Sequence, residues 1–422
     1  MQGGCGMNYP DSVRFLYSLG NELKTAKFDL ERITVLLEAL GNPHRRGRFV
    51  HVAGTNGKGS TCAMIESCLR AAGMRTGLYT SPHLLEPTER IRVNGVPVGP
   101  EEFAAAFDRV HQTAESLLAA QKLDLHPTYF ETVTAMAFWI FAEAKLDLSV
   151  IEVGLGGRLD ATNVVHPELA VVTPIDFDHE AYLGKSVQSI AAEKAGILKP
   201  EVPAVFAAQR AEAAVVLDVK AAELNVAVTH SRDLPIEDLQ LHRRGSAFRA
   251  DGMRIACPLA GLHQVENART AISALRLLHV PEAAIEKGIA RVEWPGRLER
   301  LSENPEIVGD GAHNPAGARA LAAYIDQFYG QQPIRLIYGA MRDKAVEEVV
   351  GILFPRFAEV IATAPKQARA LDPAIYPSLI DHPNLRIAGN LETAVHEARN
   401  SRWPLFITGS LFLVAEARGL LL

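Results

Sequence analysis

A two-domain α/β fold is predicted from three observations. A β-rich run with Phe49, Val50 and Val52 breaks into the glycine-rich turn GTNGKGST (residues 54–61), and an amphipathic stretch with Met64, Ile65 and Leu69 follows at once. Two apolar runs, Leu148–Val153 and Leu169–Pro174, are bounded by turns and have the near-continuous hydrophobicity of strands buried in a parallel sheet. From Ile307 onward strand-like and helical stretches alternate, which marks a parallel or mostly parallel sheet. The fold class is therefore α/β, with a P-loop-type N-terminal ATPase domain over 1–295 and a smaller Rossmann-like α/β C-terminal domain over 296–422.

Taken in order, residues 8–41 read as two helices. Tyr9-Pro10-Asp11-Ser12 opens the first, and Gly41-Asn42-Pro43 stops the second. After the glycine-rich turn, Arg75–Thr80 is a short β-like run ending in Ser81-Pro82-His83. Residues 84–98 hold many turn formers with Arg90 and Arg92, and read as a long surface loop. Glu101–Leu123 and Phe130–Lys145 have helical periodicity, joined by residues 124–129. Ser186–Ala195 is a helix closed by Gly196, and Val202–Ala207 is a further strand. Residues 225–257 differ, because short alternating runs there suggest a small antiparallel patch. Two helices fill 263–291, and Trp294-Pro295-Gly296-Arg297 reads as a hinge or linker. The C-terminal domain has strands at Glu306–Gly309, Ile334–Tyr338, Val360–Thr363, Leu385–Ala388 and Leu405–Thr408. Its helices fall at 315–328, 344–354, 391–400 and 411–420, with a weaker segment at 373–380.

At 422 residues the chain exceeds one ordinary core, which agrees with two domains. Its 48% hydrophobic and 22% charged content is that of a globular protein rather than a disordered one. A net charge of −6 argues against a nucleic-acid partner. The four cysteines (Cys5, Cys62, Cys68, Cys257) have neither zinc-type pairing nor disulfide density, so free thiols in a reducing cytoplasm are expected. No apolar run reaches the ~18 residues of a membrane span, and no basic-then-apolar leader is evident. Neither a repeat nor a low-complexity tract is present.

Chemistry concentrates at strand exits, where open α/β sheets bind ligands. Backbone N–H groups at a helix N-terminus, with about half a positive charge from the helix, suit a phosphate. Gly54, Gly57 and Gly59 admit a close backbone approach, and Lys58 supplies a cation. The pattern departs from G-x-x-x-x-G-K-[ST]: Gly54 is nearer, and Gly59 separates Lys58 from Ser60. Glu152 ends an apolar strand as a magnesium-binding carboxylate does. Asp178-His179 follows a third strand. Each residue alone has a bland reading: Glu152 a solvated rim acid, Ser81 a turn former, His179 a hydrogen-bonded polar group, Lys194 a cation favoured at a helix C-terminus. The joint case for the strand exits is stronger than any single one.

Eight stretches occur in order: HVAGTNGKGST, YTSPHL, ERIRVNG, EVGLGGRLDATN, DHEAYLG, AAEKAGILK, WPGRLE and DGAHNP, over roughly residues 50–315. In these the chain resembles the folylpolyglutamate synthases and dihydrofolate synthases of the Mur ligase superfamily, and the layout of the remaining chain is similar too. The resemblance implies an ATP-dependent ligase. A substrate carboxylate attacks the γ-phosphate of ATP to give an acyl phosphate, and the amine of L-glutamate then displaces phosphate. Such an enzyme works largely by positioning and charge stabilisation.

On that resemblance Gly57, Lys58, Gly59 and Ser60 hold the phosphates, and Ser81, Glu152 and His179 bind magnesium, with two ions expected. Lys194 matches a lysine that the family carbamylates, which turns a cation into a carboxylate-like anion and requires the neutral amine. Lys58, Glu152, His179 and Lys194 are the catalytic candidates. Asn267, Arg297 and Asp310 match ATP-binding positions contributed across the domain junction, and His313 is a second candidate near the nucleotide. Pterin-side contacts are expected from Thr128, Phe130, Gly154, Gly156, Arg158 and Asp160. Glu180 stands where the family often has Thr, which adds a negative charge beside the metal position.

Some relatives act on both dihydropteroate and reduced folate and others on folate alone; the residue 123–130 loop favours the bifunctional type. Peptidoglycan amino-acid ligases carry an additional N-terminal domain of about 100 residues, for which a loop starting at Gly54 leaves no room. A P-loop regulatory ATPase and a nucleotide-binding scaffold are the rivals from other classes; the AAEKAGILK and DGAHNP stretches speak against them. A monomer without nucleic-acid or membrane partner is expected.

Overall fold

The computed structural model describes residues 7–19, 29–342, 344–399 and 401–422. Cys5 and part of the predicted helical stretch 8–41 lie outside the described residues. Helices in the first half are α1 (Tyr9–Ser18), α2 (Glu31–Ala39), α3 (Lys58–Ala71), α4 (Pro100–Ala119), α5 (Tyr129–Ala144), α6 (Glu180–Leu183) and α7 (Val187–Ala195). Then come α8 (Ala211–Glu223), α9 (Leu262–Leu277), α10 (Glu282–Ile289), α11 (Pro315–Tyr329), α12 (Val346–Leu353), α13 (Tyr376–Leu379), α14 (Leu391–Arg399) and α15 (Leu411–Leu421).

Two compact units form. The first takes residues up to Ile175, with Gln188–Leu234 and Arg269–Ile289. Its strands are β1 (Phe49–Ala53), β2 (Thr76–Tyr79), β3 (Ile91–Val93), β4 (Val96–Pro97), β5 (Leu148–Glu152), β6 (Leu169–Val172), β7 (Ala204–Phe206) and β8 (Val228–His230). They make one sheet in the order β4-β3-β2-β5-β1-β6-β7-β8. Strands β2, β5, β1, β6, β7 and β8 pair in parallel, with Val52 opposite Glu152 and Ala53 opposite Val172. Every residue of β1 and β5 is buried, as their continuous apolar runs require.

The stretch 84–98 corrects the sequence reading. It is not a plain surface loop: β3 and β4 form a hairpin added antiparallel to β2. The cause is Asn94-Gly95, both at positive φ (51° and 80°), the residue pair that tight hairpin turns select. Helix α8 also has no counterpart among the sequence expectations, and β8, inside the 225–257 stretch read as an antiparallel patch, instead pairs in parallel with β7.

Helices α4 and α5 close one flank. Pro100 at the first turn and Glu101 and Glu102 favour the start of α4, and Phe103, Phe107, Val110, Ala114 and Leu117 make its buried stripe. α5 begins at a reciprocal capping box: Thr128 Oγ1 accepts from the Glu131 N–H, and the Glu131 carboxylate accepts from the Thr128 N–H at 2.7 Å. Phe103, Phe107 and Phe138 join one apolar core with Leu36, Leu37 and Met136; truncating such a ring to Ala costs about 3–5 kcal/mol. On α3, Ser67 Oγ donates to the Gly288 carbonyl of α10 at 2.7 Å. A Cβ on Gly288 would sit 2.4 Å from Cys68 Cα, so α3 and α10 touch backbone to backbone and only glycine fits.

The second unit takes Asp176–Val187, Pro235–Ala268 and Ala290–Leu422. Strands β9 (Ile236–His242), β10 (Gly245–Ala250) and β11 (Met253–Cys257) are the predicted antiparallel patch, with the order β11-β10-β9. A six-stranded sheet follows from β12 (Glu299–Glu303), β13 (Glu306–Gly309), β14 (Arg335–Tyr338), β15 (Glu359–Ala362), β16 (Leu385–Ile387) and β17 (Leu405–Thr408), ordered β12-β13-β17-β14-β15-β16. It is parallel except for β12, an antiparallel edge that the sequence reading lacked. α11, α12 and the α14–α15 pair cover its apolar faces through Leu321, Ile325 and Val350 on one side and Leu391, Val395 and Leu413 on the other.

Candidate functional site

In the first unit the exits of β2, β5, β1 and β6 lie side by side, because those strands are neighbours in the sheet. β1 runs out into Gly54, which has φ +145°, and a Cβ there would lie 1.9 Å from Thr173 Oγ1 beyond β6. The N–H groups of Thr55 and Asn56 both donate to the Pro174 carbonyl, so the loop is pinned to the β6 exit. Gly57 takes the left-handed conformation, φ 84°, as the residue before α3. Lys58 then opens the helix, with Nζ 3.3 Å from the Thr55 carbonyl. The result is a backbone cradle at a helix N-terminus with a lysine folded over it, suited to a phosphate chain.

Glu152, at the end of β5, is 4% exposed, and its Oε2 accepts from the Ser81 N–H at 3.1 Å. Ser81 and Glu152 are thus brought together by adjacent strands. Both offer hard oxygens, the donor chemistry magnesium selects. Lys194 is equally buried near the end of α7, and its Nζ donates to the Gly54 carbonyl at 2.8 Å. Helix α7 thus delivers this lysine to the phosphate loop itself.

The substrate-side candidates also belong to the first unit, in two kinds of setting. Phe130, at the start of α5, lies across Gly154, where a Cβ would meet its ring at 2.5 Å. Thr128 is committed to the α5 capping box. Asp160 is buried and organises its own loop: Oδ2 accepts from the Leu155 N–H at 2.8 Å and Oδ1 from the Thr162 N–H at 3.0 Å. Burial raises its carboxyl pKa, opposed by the Thr162 and Leu155 hydrogen bonds. Gly156 turns the loop at φ 69°. Arg158 is largely exposed and pairs with Glu193 at 2.8 Å. The loop rests on α7, since a Cβ on Gly157 would touch Lys194 Cα.

In the second unit a compact polar cluster surrounds Asp178. Its Oδ1 accepts from Lys344 Nζ at 2.6 Å and from the His179 N–H at 2.9 Å. Its Oδ2 accepts from Asn314 Nδ2 at 3.1 Å and lies 3.3 Å from His313 Nε2. Burial alone would raise the carboxyl pKa; the adjacent His313 and Lys344 overcome it and hold the group well below the usual carboxylate range. His179 has left-handed backbone, φ 53°, and starts α6. His313 and His179 are therefore brought together at one carboxylate, that of Asp178, which the sequence places at a strand exit without giving it a role.

Asp310 follows β13 and fixes the neighbouring turn: Oδ2 accepts from the Leu298 N–H and Oδ1 from the Ala312 N–H, both at 2.9 Å. Arg297 lies across Gly311, where a Cβ would come within 2.4 Å of Nη1. Asn267 on α9 donates to Gln264 Oε1 at 3.0 Å. His263 on the same helix is half-buried; loss of solvent lowers its pKa, Asp310 opposes this and Arg297 adds to it.

Thr173, Asp178, Asn314 and Lys344 are the polar residues that sequence reasoning missed. Asp178 and Asn314 sit inside quoted motifs and were legible there as neighbours of His179 and His313. Thr173 and Lys344 carried no signal, because one threonine past a strand and one lysine in a turn are common.

Comparison with known proteins gives the same picture. The Mur ligase middle domain matches residues 52–275, and the glutamate ligase domain of Mur ligases matches 296–403. The folylpolyglutamate synthase of Lacticaseibacillus casei is 36% identical over 99% of both chains. The dihydrofolate synthase/folylpolyglutamate synthase of Bacillus subtilis is 34% identical, over 92% of this chain and 94% of that one. The crystal structure of Mycobacterium tuberculosis folylpolyglutamate synthase complexed with ADP and AMPPCP superposes with a TM-score of 0.91 at 32% identity, covering 98% of this chain and 99% of that one.

Proposed function

The chain belongs to the Mur ligase family, in its folylpolyglutamate synthase and dihydrofolate synthase branch, and we propose from that membership that it joins L-glutamate to a pteroyl substrate at the expense of ATP. The observation that carries the reading is the meeting of the Gly54–Ser60 cradle, the buried Glu152 beside Ser81, and Lys194 on the Gly54 carbonyl.

The reaction divides in two. The substrate carboxylate attacks the γ-phosphorus of ATP, the bond to the β-phosphate oxygen breaks, and ADP leaves. The glutamate amine then attacks the acyl carbon, phosphate departs with the bonding pair, and the amine gives up a proton. Lys58 and the N–H groups of the cradle hold the phosphates and stabilise their charge. Ser81, Glu152 and His179 would hold magnesium, which screens that charge when bound. Lys194, once carbamylated, would add an anionic group for the metal. Asn267, Arg297, Asp310 and His313 serve the nucleotide. Phe130 and the Gly154–Asp160 loop face the pteroyl group, with Asp160 and Thr128 holding the loops in shape.

The working division is residues 1–295 for the ATP-binding central domain and 296–422 for the Rossmann-like glutamate-ligase domain. We assign both activities, on dihydropteroate and on reduced folate, as the B. subtilis relative's name combines them. A monomer in the cytoplasm completes the reading; among the described residues no helix is long and apolar enough to cross a membrane.

The test is incubation with ATP, Mg²⁺, L-glutamate and either 7,8-dihydropteroate or a reduced folate, following ADP and product mass. Glutamate-dependent ADP release with both substrates is expected. Release that glutamate never stimulates would sink the ligase reading; release with folate alone would remove only the dihydropteroate activity.

A further inference from the structure

Away from the strand exits, the first unit carries a second cluster of metal-ligating side chains. His111 and Glu115 occupy successive turns of α4, four residues apart and so on one face. His126 comes from the loop that leads to α5. Their ligand atoms converge: His111 Nδ1 is 3.4 Å from His126 Nε2, and Glu115 Oε1 is 3.8 Å from His126 Nε2 and 4.0 Å from His111 Nδ1. We propose that His111, Glu115 and His126 form a binding site for a divalent transition ion of the zinc class.

Three features carry the assignment. The first is spacing. Zinc held tetrahedrally at about 2.0–2.1 Å from nitrogen places neighbouring ligand atoms ~3.3 Å apart, which the two ring nitrogens already satisfy. Glu115 needs a shift of about half an ångström to match, and its side chain is 55% exposed and has room to move.

The second is the proton. His126 Nδ1 lies 2.8 Å from the Pro127 carbonyl. A carbonyl only accepts, so Nδ1 carries the hydrogen and Nε2 is the ring nitrogen turned toward the cluster. A ring fixed through its far nitrogen to a backbone carbonyl is the usual support of a metal-bound histidine.

The third is the wall behind the rings. His111 stacks on Phe107, with centroids 5.3 Å apart and planes 10° apart, and Phe15 packs on both histidines. The groups facing His111 are Glu115, Asp108 and His126. Two imidazoles and one carboxylate leave a fourth position for water and suit zinc better than magnesium, which prefers oxygen. The cation would tie α4 to the loop preceding Thr128.

The experiment is calorimetric titration of Zn²⁺ into the EDTA-treated, dialysed full-length protein in excess Mg²⁺. One equivalent is expected to bind in the wild type, to be lost in His126→Asn and His111→Gln, and to be weakened in Glu115→Gln. Co²⁺ is expected to give visible absorption of low-coordinate type that His126→Asn abolishes. Glu115 is exposed, so its substitution leaves the fold intact even where a histidine variant does not. Absence of Zn²⁺ binding by the wild type, or unchanged Zn²⁺ binding in His126→Asn or Glu115→Gln, overturns the site.

Discussion

Lys194 donates from Nζ to the main-chain carbonyl of Gly54 at 2.8 Å, joining the end of α7 to the first residue of the phosphate loop across 140 positions of sequence. A buried lysine held there touches the loop proposed to bind the phosphates. Lys194→Ala is expected to lose about 10²-fold or more in turnover, with partial rescue by short-chain carboxylates that replace the carbamate. Steady-state assays with and without added formate or acetate decide it; wild-type turnover in the variant rejects a catalytic Lys194.

Gly54→Ala tests the cradle itself. The new methyl would lie 1.9 Å from Thr173 Oγ1 and 2.9 Å from the Thr173 carbonyl, on a backbone at φ +145°. A destabilisation of about 1–3 kcal/mol is expected, together with weakened ATP binding. An unchanged urea midpoint would show that the Gly54–Thr173 approach is not tight.

Asp178 is the shared acceptor for Lys344, Asn314 and the His179 N–H, with His313 alongside. Asp178→Asn removes the charge and keeps the shape, leaving Lys344 without its anion. A stability loss of about 1–3 kcal/mol is expected, with a larger fall in kcat/KM than in melting temperature. Wild-type kcat/KM would show that the cluster is structural only. The carboxyl pKa is depressed in the fold, so its contribution is present above the ordinary value of 3.8 and fades only as pH falls further.

His51 gives stability a pH dependence of its own. It lies fully buried on β1, with Nε2 2.8 Å from Thr162 Oγ1, and the Thr162 hydroxyl in turn donates to Asp160. Burial, aided by Lys199, lowers its pKa from 6.5 to about 3. The unfolded chain therefore takes up this proton below pH 6.5 and the folded one does not, so stability falls as pH drops from 6.5 toward 3. The loss at pH 4 amounts to about 3 kcal/mol. In chemical denaturation at pH 7 and pH 4, His51→Gln is expected to shrink the difference between the two pH values; an undiminished difference would place the dependence elsewhere.

Much of this was legible in the sequence, for reasons that differ by element. Leu148–Glu152 and Leu169–Val172 announced themselves because strands buried on both faces are apolar throughout. The hairpin at 91–97 was not read, because its strands are two or three residues long and Arg90 and Arg92 masked its Asn94-Gly95 turn. Helix α8 buries only Ala213, Leu217 and Ala221, a stripe too thin to mark a helix by its period. At the site, Gly57, Lys58 and Glu152 point to phosphate and metal chemistry only jointly, since the loop departs from the common spacing and a strand-end Glu alone has a bland reading. Lys194 does not, since only the fold shows that a lysine at a helix end reaches the Gly54 carbonyl. Lys344 is the sharper case: its partner Asp178 lies 166 residues earlier, and no local pattern encodes such a pairing.

The backbone contact of Gly288 with Cys68 has a consequence for biogenesis. Helix α3 follows the phosphate loop, yet the surface it rests on is completed by α10, more than 200 residues later in synthesis. On the ribosome the early helix must wait with that face uncovered until the chain has emerged past Ile289. The first unit is thus finished late although its loop is made early, and nascent chains halted before α10 should be the ones that chaperones hold.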